Sequence, residues 1–286
     1  VLTRTLTPDT VVLLIDDGSD CSQENLAGHL DHPCVHRLRH DASRGPAAAR
    51  NTGIAWCRER GVDLVVLLDN DCTPQPGFVR GHVALHSEHP DMACIGGGIR
   101  GVGSGFWARL DGIASWFTSI PGAPPREITG VYHVPTANMS LKLALMPKGD
   151  LFDTRLRTGE DVAFNRRLSA MGARMLFSSA PLVFHHDREK FRAFIAHQYR
   201  WAVHTYVVRC GNCHNLAVRL LIAMAFVPLL PAYALAASVV NVRPLLSVSA
   251  RYMLWWPALF ILYALKGVGV IEGIVRPGRA LFPVDN

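Results

Sequence analysis

The 286-residue chain predicts an α/β protein: a mostly parallel sheet with helices on both faces, followed by a hydrophobic helical hairpin. Three observations carry this expectation. Short runs rich in Val, Leu and Ile alternate with amphipathic stretches, as strands buried on both faces do. Two of these runs end in acidic turns, Asp16-Asp17-Gly18-Ser19 and Asp69-Asn70-Asp71. Beyond residue 214 an ordinary globular composition gives way to a strongly apolar one, which divides the chain into 1–214 and 215–286.

Each element follows from local pattern. Val11 to Ile15 forms a buried strand, residues 22–30 are weakly helical, and Cys34 to Leu38 forms a second strand. Gly45-Pro46 opens a helix, because Pro suits the first helical turn. Asp63 to Leu68 is a strand running into the Asp-Asn-Asp turn, and a further helix starts near Pro76. Met92 to Ile99 is again strand-like. The stretch 103–129, with its PGAPP, is expected to be irregular, a lid or insertion, and 131–142 is strand-like. Thr158-Gly159-Glu160-Asp161 begins a helix that Gly172 ends. RMLFSS and LVFHH read as two short strands, and 189–209 as a long helix mixing aromatics with Arg and His. That helix fits either a membrane interface or a packed position in the fold.

Leu220 to Val240 carries no charged residue, and Tyr252 to Ile271 only Lys266. Both are long enough to span a bilayer core, and Trp255-Trp256 suits an interfacial position. Buried helices of a soluble fold are the competing reading. Pro228 and Pro231 are tolerated in membrane helices but would bend the first span. A hairpin that keeps residues 1–214 on the cytoplasmic side matches Arg209, Arg219, Lys266, Arg276 and Arg279 at the span ends, against Arg243 and Arg251 between them.

Net charge is +6, and only Lys142, Lys148, Lys190 and Lys266 of the basic residues are lysines. A basic balance suits nucleic acid, anionic lipid or a phosphorylated substrate. No tight basic cluster interleaved with aromatics is present, which speaks against nucleic acid. Seven scattered cysteines argue against a secreted disulfide framework and for a reducing compartment. Cys210-Gly211-Asn212-Cys213-His214 matches a haem-attachment string, but it reads better as a cysteine-bearing turn, since no second pair offers zinc spacing.

In an α/β sheet, ligands gather at the carboxyl ends of strands, so the acidic turns at 16–17 and 69–71 can meet in one crevice. Two chemistries fit Asp69-Asn70-Asp71 locally. The carboxylates can hold a divalent cation against a diphosphate leaving group. Alternatively, Asp69 is a phosphoryl-accepting nucleophile, with Asp71 and Thr73 completing a DxDxT pattern.

The order of motifs separates them. Asp16-Asp17-Gly18-Ser19, Gly45-Pro46-Ala47-Ala48-Ala49-Arg50-Asn51, Asp69-Asn70-Asp71, Thr136-Ala137-Asn138-Met139, Gly159-Glu160-Asp161 and His185 together resemble the family 2 glycosyltransferases, of GT-A fold. The resemblance covers residues 1 to about 210. It implies inverting, metal-dependent transfer of a sugar from a nucleotide-diphosphate sugar to a hydroxyl acceptor, lipid-linked or polysaccharide, at the cytoplasmic face of a membrane. It implies Mg²⁺ or Mn²⁺ bound by Asp71, with Asp69 near the ribose and reaching the metal through water, and His185 (or the adjacent His186) as a further ligand. It places Asp16, Asp17, Gly45 and Arg50 about the nucleotide, Asp161 as general base, and Glu160 as a positioning acid. The family carries a strand and helix ahead of the strand that leads into the first motif, where this chain has only ten residues. VLTRTLT resembles the tail of that helix, so part of the base pocket is expected to be missing. LALMPKGDLFD also departs from the family pattern. A binding module without turnover is a third possibility.

Overall fold

The computed structural model describes residues 9–20, 32–211 and 213–281. The expected helix over 22–30, the VLTRTLT segment and Asn212 fall outside that description. Strands β1 (Val12–Asp16) and β2 (Val35–Arg39) pair in parallel as a two-stranded unit. The main sheet contains β3 (Leu64–Leu68), β4 (Cys72–Pro74), β5 (Met92–Val102), β6 (Arg126–Glu127), β7 (Asn138–Lys142) and β8 (Arg174–His186). Its order is β3-β7-β5-β8-β4, with β6 also on β8.

The α/β class and the apolar helices after it are as expected, but the sheet is mixed rather than mostly parallel. In it only β5 and β8 run parallel, whereas β3–β7, β5–β7, β4–β8 and β6–β8 are antiparallel. Two of these pairs arise because β7 inserts between β3 and β5 against their direction, and two because the short β4 and β6 run against β8. An apolar run reports burial on both faces and says nothing about the direction of its neighbour. RMLFSS and LVFHH are one strand, because the register shift between Gly96 and Gly98 absorbs the irregular residues opposite.

The helices are α1 (Pro46–Glu59), α2 (Phe78–Glu88), α3 (Gly105–Trp116), α4 (Glu160–Ala170), α5 (Phe191–Cys210), α6 (Leu216–Phe226), α7 (Leu230–Leu246) and α8 (Trp256–Val275). On one sheet face Met139, Leu141, Met175 and Phe177 pack in the cluster of Ile54, Leu110, Phe164 and Leu168. The other face lies under α2, where Ile95 and Leu176 join Leu85. Asn138 also points that way: it accepts from His82 Nε2 (2.8 Å) and donates to the Gly98 and Pro181 carbonyls. Burial holds His82 down to about 4, so it is the neutral donor this buried network needs. The asparagine of Thr136-Ala137-Asn138-Met139 is therefore a fastener between sheet and helix.

The expected irregular stretch 103–129 contains α3, whose Ala108, Leu110, Ala114 and Trp116 are buried. Its glycines disguised it, since Gly lowers helix propensity. They serve close approach: a Cβ on Gly112 would sit 2.5 Å from an Asp187 oxygen.

At the C-terminus the apolar segments are longer than the uncharged runs. Leu216–Leu246 and Ala250–Val275 are both long and apolar enough to cross a membrane. A 3₁₀ turn at Val227–Leu229 accommodates Pro228, and Pro231 falls in the first turn of α7, where a missing N–H costs little. Packing continues across residue 214, for Val242, Leu245, Leu259 and Leu262 share the main cluster with Ile54 and Phe164. Helix α5 buries Ala202, Val203 and Val207, and α8 lies against it. A Cβ on Gly273 would come 2.0 Å from the Val203 carbonyl oxygen, and one on Gly269 2.8 Å from Ala202 Cβ. Small residues let these two backbones close up. Lys266 lies inside this packing, only 8% exposed, and is not an exposed charge flanking a span.

Candidate active site

The Asp69-Asn70-Asp71 turn links β3 to β4 and is closed by Cys72 N donating to the Asp69 carbonyl. Strand β4 pairs antiparallel with the end of β8, in a register that sets Cys72 against His185. This carries His185 Nε2 to 3.2 Å from Asp71 Oδ2. Strand alternation then points His186 outward, where it is exposed, and the choice between the two histidines is made by register. On its other side His185 Nδ1 meets Asp187 Oδ1 at 2.8 Å, and Trp116 Nε1 donates to the same oxygen. Burial alone favours a neutral imidazole, but Asp187 and Asp71 override it and lift His185 to about 9. In turn His185 lowers the Asp71 carboxyl.

Arg50 projects from the first turns of α1 and joins two motifs. Its Nη2 donates to Asp69 Oδ1 (2.8 Å) and its Nη1 to Glu160 Oε1 (2.5 Å). The next residue does separate work: Asn51 accepts from Leu151 N and Phe152 N and donates to the Phe152 carbonyl. Gly159, at φ +80°, turns the chain into α4, so Glu160 and Asp161 fall in its first turn. There backbone N–H groups favour carboxylates. Asp161 Oδ1 accepts from Val162 N, and its Oδ2 lies 3.8 Å from His133 Nε2. Burial raises the Asp161 carboxyl above the ordinary aspartate range, against the pull of Arg50. His133 is pushed down to about 4, chiefly by burial, so it brings no positive charge to that carboxylate.

Arg50, Asp69, Asp71, Glu160, Asp161 and His185 all line one cavity of about 560 Å³. Asp16, Asp17 and Gly45 are not in its lining. Asp16 is tied to Arg37, Arg39 and Ser19 N. Asp17 accepts from Ser43 Oγ, Arg44 N and Gly45 N and pairs with His40 Nδ1. The first acidic turn therefore fastens the loop that leads into α1. Gly18, at φ +74°, makes room for that loop: a Cβ there would lie 2.6 Å from Ser43 N.

The Asp71–His185 pair fits a divalent cation. Asp187 fixes the imidazole on Nδ1 and turns Nε2 towards Asp71, the carboxylate–imidazole order usual behind a metal ligand. Asp69 is occupied by Arg50, and among the described residues no three His, Cys, Asp or Glu side chains converge as a metal cluster. A cation here would take two protein ligands and complete its shell with phosphate oxygens and water, as Mg²⁺ commonly does.

Sequence reasoning passed over several residues that line the same cavity: His133, Arg188, Trp201, His204 and Lys266. Two carried a signal. Lys266 is the single charge in an apolar run, and His133 sits just ahead of the Thr136 motif. The six described cysteines are free, and Cys210 closes α5.

Comparison with known proteins bears on this site directly. The family model for glycosyl transferase family 2 matches residues 2–143, a span that includes the loop around Asp17, Arg50 and both aspartates of the Asp-Asn-Asp turn. The chain belongs to glycosyl transferase family 2. Two curated relatives, the pre-mycofactocin glycosyltransferases of Mycobacterium tuberculosis strains CDC 1551 and H37Rv, are each 33% identical over 191 residues, 65% of this chain. The chain spans 39% of the length of these relatives. Among solved structures, residues 1–349 of S. aureus TarS align over 97% of this chain and 86% of that one, at 13% identity and a TM-score of 0.50. That likeness concerns fold alone. The family match ends at residue 143, so Glu160, Asp161 and His185 join the candidate site on geometry alone.

Proposed function

We propose that this family 2 glycosyltransferase moves a sugar from a nucleotide-diphosphate sugar to an acceptor hydroxyl, with inversion and with a divalent metal. One observation carries the reading: a single cavity holds the Asp71–His185 pair and Asp161, with Arg50 spanning Asp69 and Glu160 between them. Mg²⁺ or Mn²⁺ held by Asp71 and His185 would neutralise the departing diphosphate as a Lewis acid. Asp161 takes the acceptor proton. Burial raises its carboxyl and so makes it a stronger base than an exposed aspartate. Arg50 fixes Glu160 and Asp69, and with them the relative placement of the two motifs. Asp16, Asp17 and Gly45 support the nucleotide side by holding the 43–45 loop. One displacement by one activated hydroxyl inverts the anomeric centre.

The phosphoryl-transfer alternative needs a free Asp69, and here Asp69 Oδ1 is engaged by Arg50. Thermal denaturation of the full chain with UDP, GDP or dTDP, each with and without Mn²⁺, tests the donor. One nucleoside diphosphate is expected to raise Tm in a metal-dependent way. No shift with any of them sinks the reading, and a shift without turnover on any acceptor leaves a binding module.

The acceptor is proposed to be lipid-linked or a polysaccharide precursor met at the cytoplasmic face of a membrane, since nucleotide sugars are made in the cytosol. Support comes from the apolar helices. Only 11% of the apolar window in Leu216–Leu246 is buried, against 50% in Ala250–Val275, and Leu221, Met224 and Leu254 are strongly exposed. A hairpin of these segments returns the chain to the catalytic side. A tag at Asn286 is expected to resist impermeant reagents on intact cells, and labelling without permeabilisation refutes this topology.

A further inference from the structure

Lys266 of α8 lines the same cavity as Asp71, His185 and Arg188. Its Nζ donates to Gln198 Oε1 at 2.9 Å and lies over the rings of Tyr263 and Trp201, 5.0 and 5.9 Å from their centroids. Among the described residues no carboxylate pairs with it directly. The nearest in the network is Asp111, fully buried, which accepts from Gln198 Nε2 (2.8 Å) and from Arg188 Nη1 (3.3 Å). Two cations, Arg188 and Lys266, thus share one carboxylate, and both side chains belong to residues of the cavity wall. Beside them on α5, His197 Nε2 is buried with no partner among the described residues.

A buried ammonium held by an amide and two ring faces lacks the counter-anion that usually offsets its desolvation. An anionic ligand entering the cavity would supply it. We propose that Lys266, together with Arg188, forms an anion subsite of the transferase cavity that takes a phosphate-class oxyanion. A C-terminal apolar helix then completes the active site as well as packing beneath it. The subsite rests on the glycosyl-transfer reading above. Two sources present the same chemistry, the diphosphate of the donor and a phosphate on the acceptor.

Calorimetric titration of the full chain in detergent separates them. The probes are Mn²⁺ with whichever of UDP, GDP or dTDP stabilises the wild type, its parent nucleoside, and inorganic phosphate added to the nucleotide-saturated protein. Lys266→Gln, which keeps a hydrogen bond to Gln198, is expected to weaken anion binding tenfold or more, and Lys266→Arg to retain most of it. Loss confined to the diphosphate, with nucleoside binding unchanged, identifies the donor. Loss confined to inorganic phosphate identifies an acceptor phosphate. Wild-type affinity for both anions in a folded Lys266→Gln protein overturns the subsite while leaving glycosyl transfer standing. Should Lys266→Gln not fold, Lys266→Met carries the same expectation. A wild type that binds neither anion overturns the parent reading and the subsite with it.

Discussion

Asp161→Asn is expected to keep nucleotide-diphosphate binding and to lose transfer by about 10²–10⁴-fold, the range a positioned general base contributes. Asn matches Asp in size and can still accept at Oδ1 from Val162 N, so the first turn of α4 is preserved while the basic oxygen is lost. Asp71→Ala should fail differently, by losing metal-dependent donor affinity, because it strips one of the two proposed ligands and leaves His185 Nε2 without the carboxylate it faces. The pH profile adds a sign. Burial raises the Asp161 carboxyl, so the inactive protonated form persists above the ordinary aspartate range. Transfer then rises with pH across a limb displaced upward from that range. Isothermal titration with donor nucleotide and Mn²⁺, alongside single-turnover transfer, reads both variants. Unchanged nucleotide affinity in Asp71→Ala removes the metal assignment, and full transfer by Asp161→Asn removes the base.

Legibility in the sequence followed the range of the forces concerned. The strand runs at 11–15, 34–38 and 63–68 were visible because burial on both faces leaves an unbroken apolar stretch, and α1 because Gly45-Pro46 marks its start. The direction of β7 was not visible, since pairing direction depends on a partner far away in sequence. Helix α3 was hidden by glycines retained for the approach of Asp187. At the site, the motifs located Arg50, Asp69, Asp71, Glu160, Asp161 and His185, which the fold brings into one cavity. Asp16 and Asp17 were legible as a turn, but their hydrogen bonds to Arg37, His40 and Ser43 follow from a tertiary arrangement no local pattern records. The contribution of α5 and α8 was the least legible part. Lys266 interrupts an apolar run equally well as a topology charge or as a cavity residue, and only packing separates the two.

Arg50→Met should cost more than the loss of one cation. The guanidinium bonds Asp69 and Glu160 at once, and the Arg50 and Glu160 side chains are 15% and 8% exposed, against 32% for Asp69. Removing it leaves Glu160 buried beside Asp161 with no counter-ion. Breaking a buried pair by deleting one partner typically costs about 3–5 kcal/mol, and the more exposed Asp69 adds little to that. Part of the cost should be relieved by protonation of Glu160, so Arg50→Met is expected to lose less stability at acidic than at neutral pH. Arg50→Lys should recover only part of it, because a single ammonium does not reproduce a planar fork between two acceptors. Transfer should fall along with stability, since Asp69 and Asp161 both lose a fixed neighbour. A double-mutant cycle of Arg50→Met with Glu160→Gln, followed by chemical denaturation, checks the coupling. The neutral Gln no longer needs a counter-ion, so the double variant should recover at least about 1 kcal/mol relative to additivity. Additive losses would show that Arg50 and Glu160 act independently and that the bridge does not hold the two motifs together.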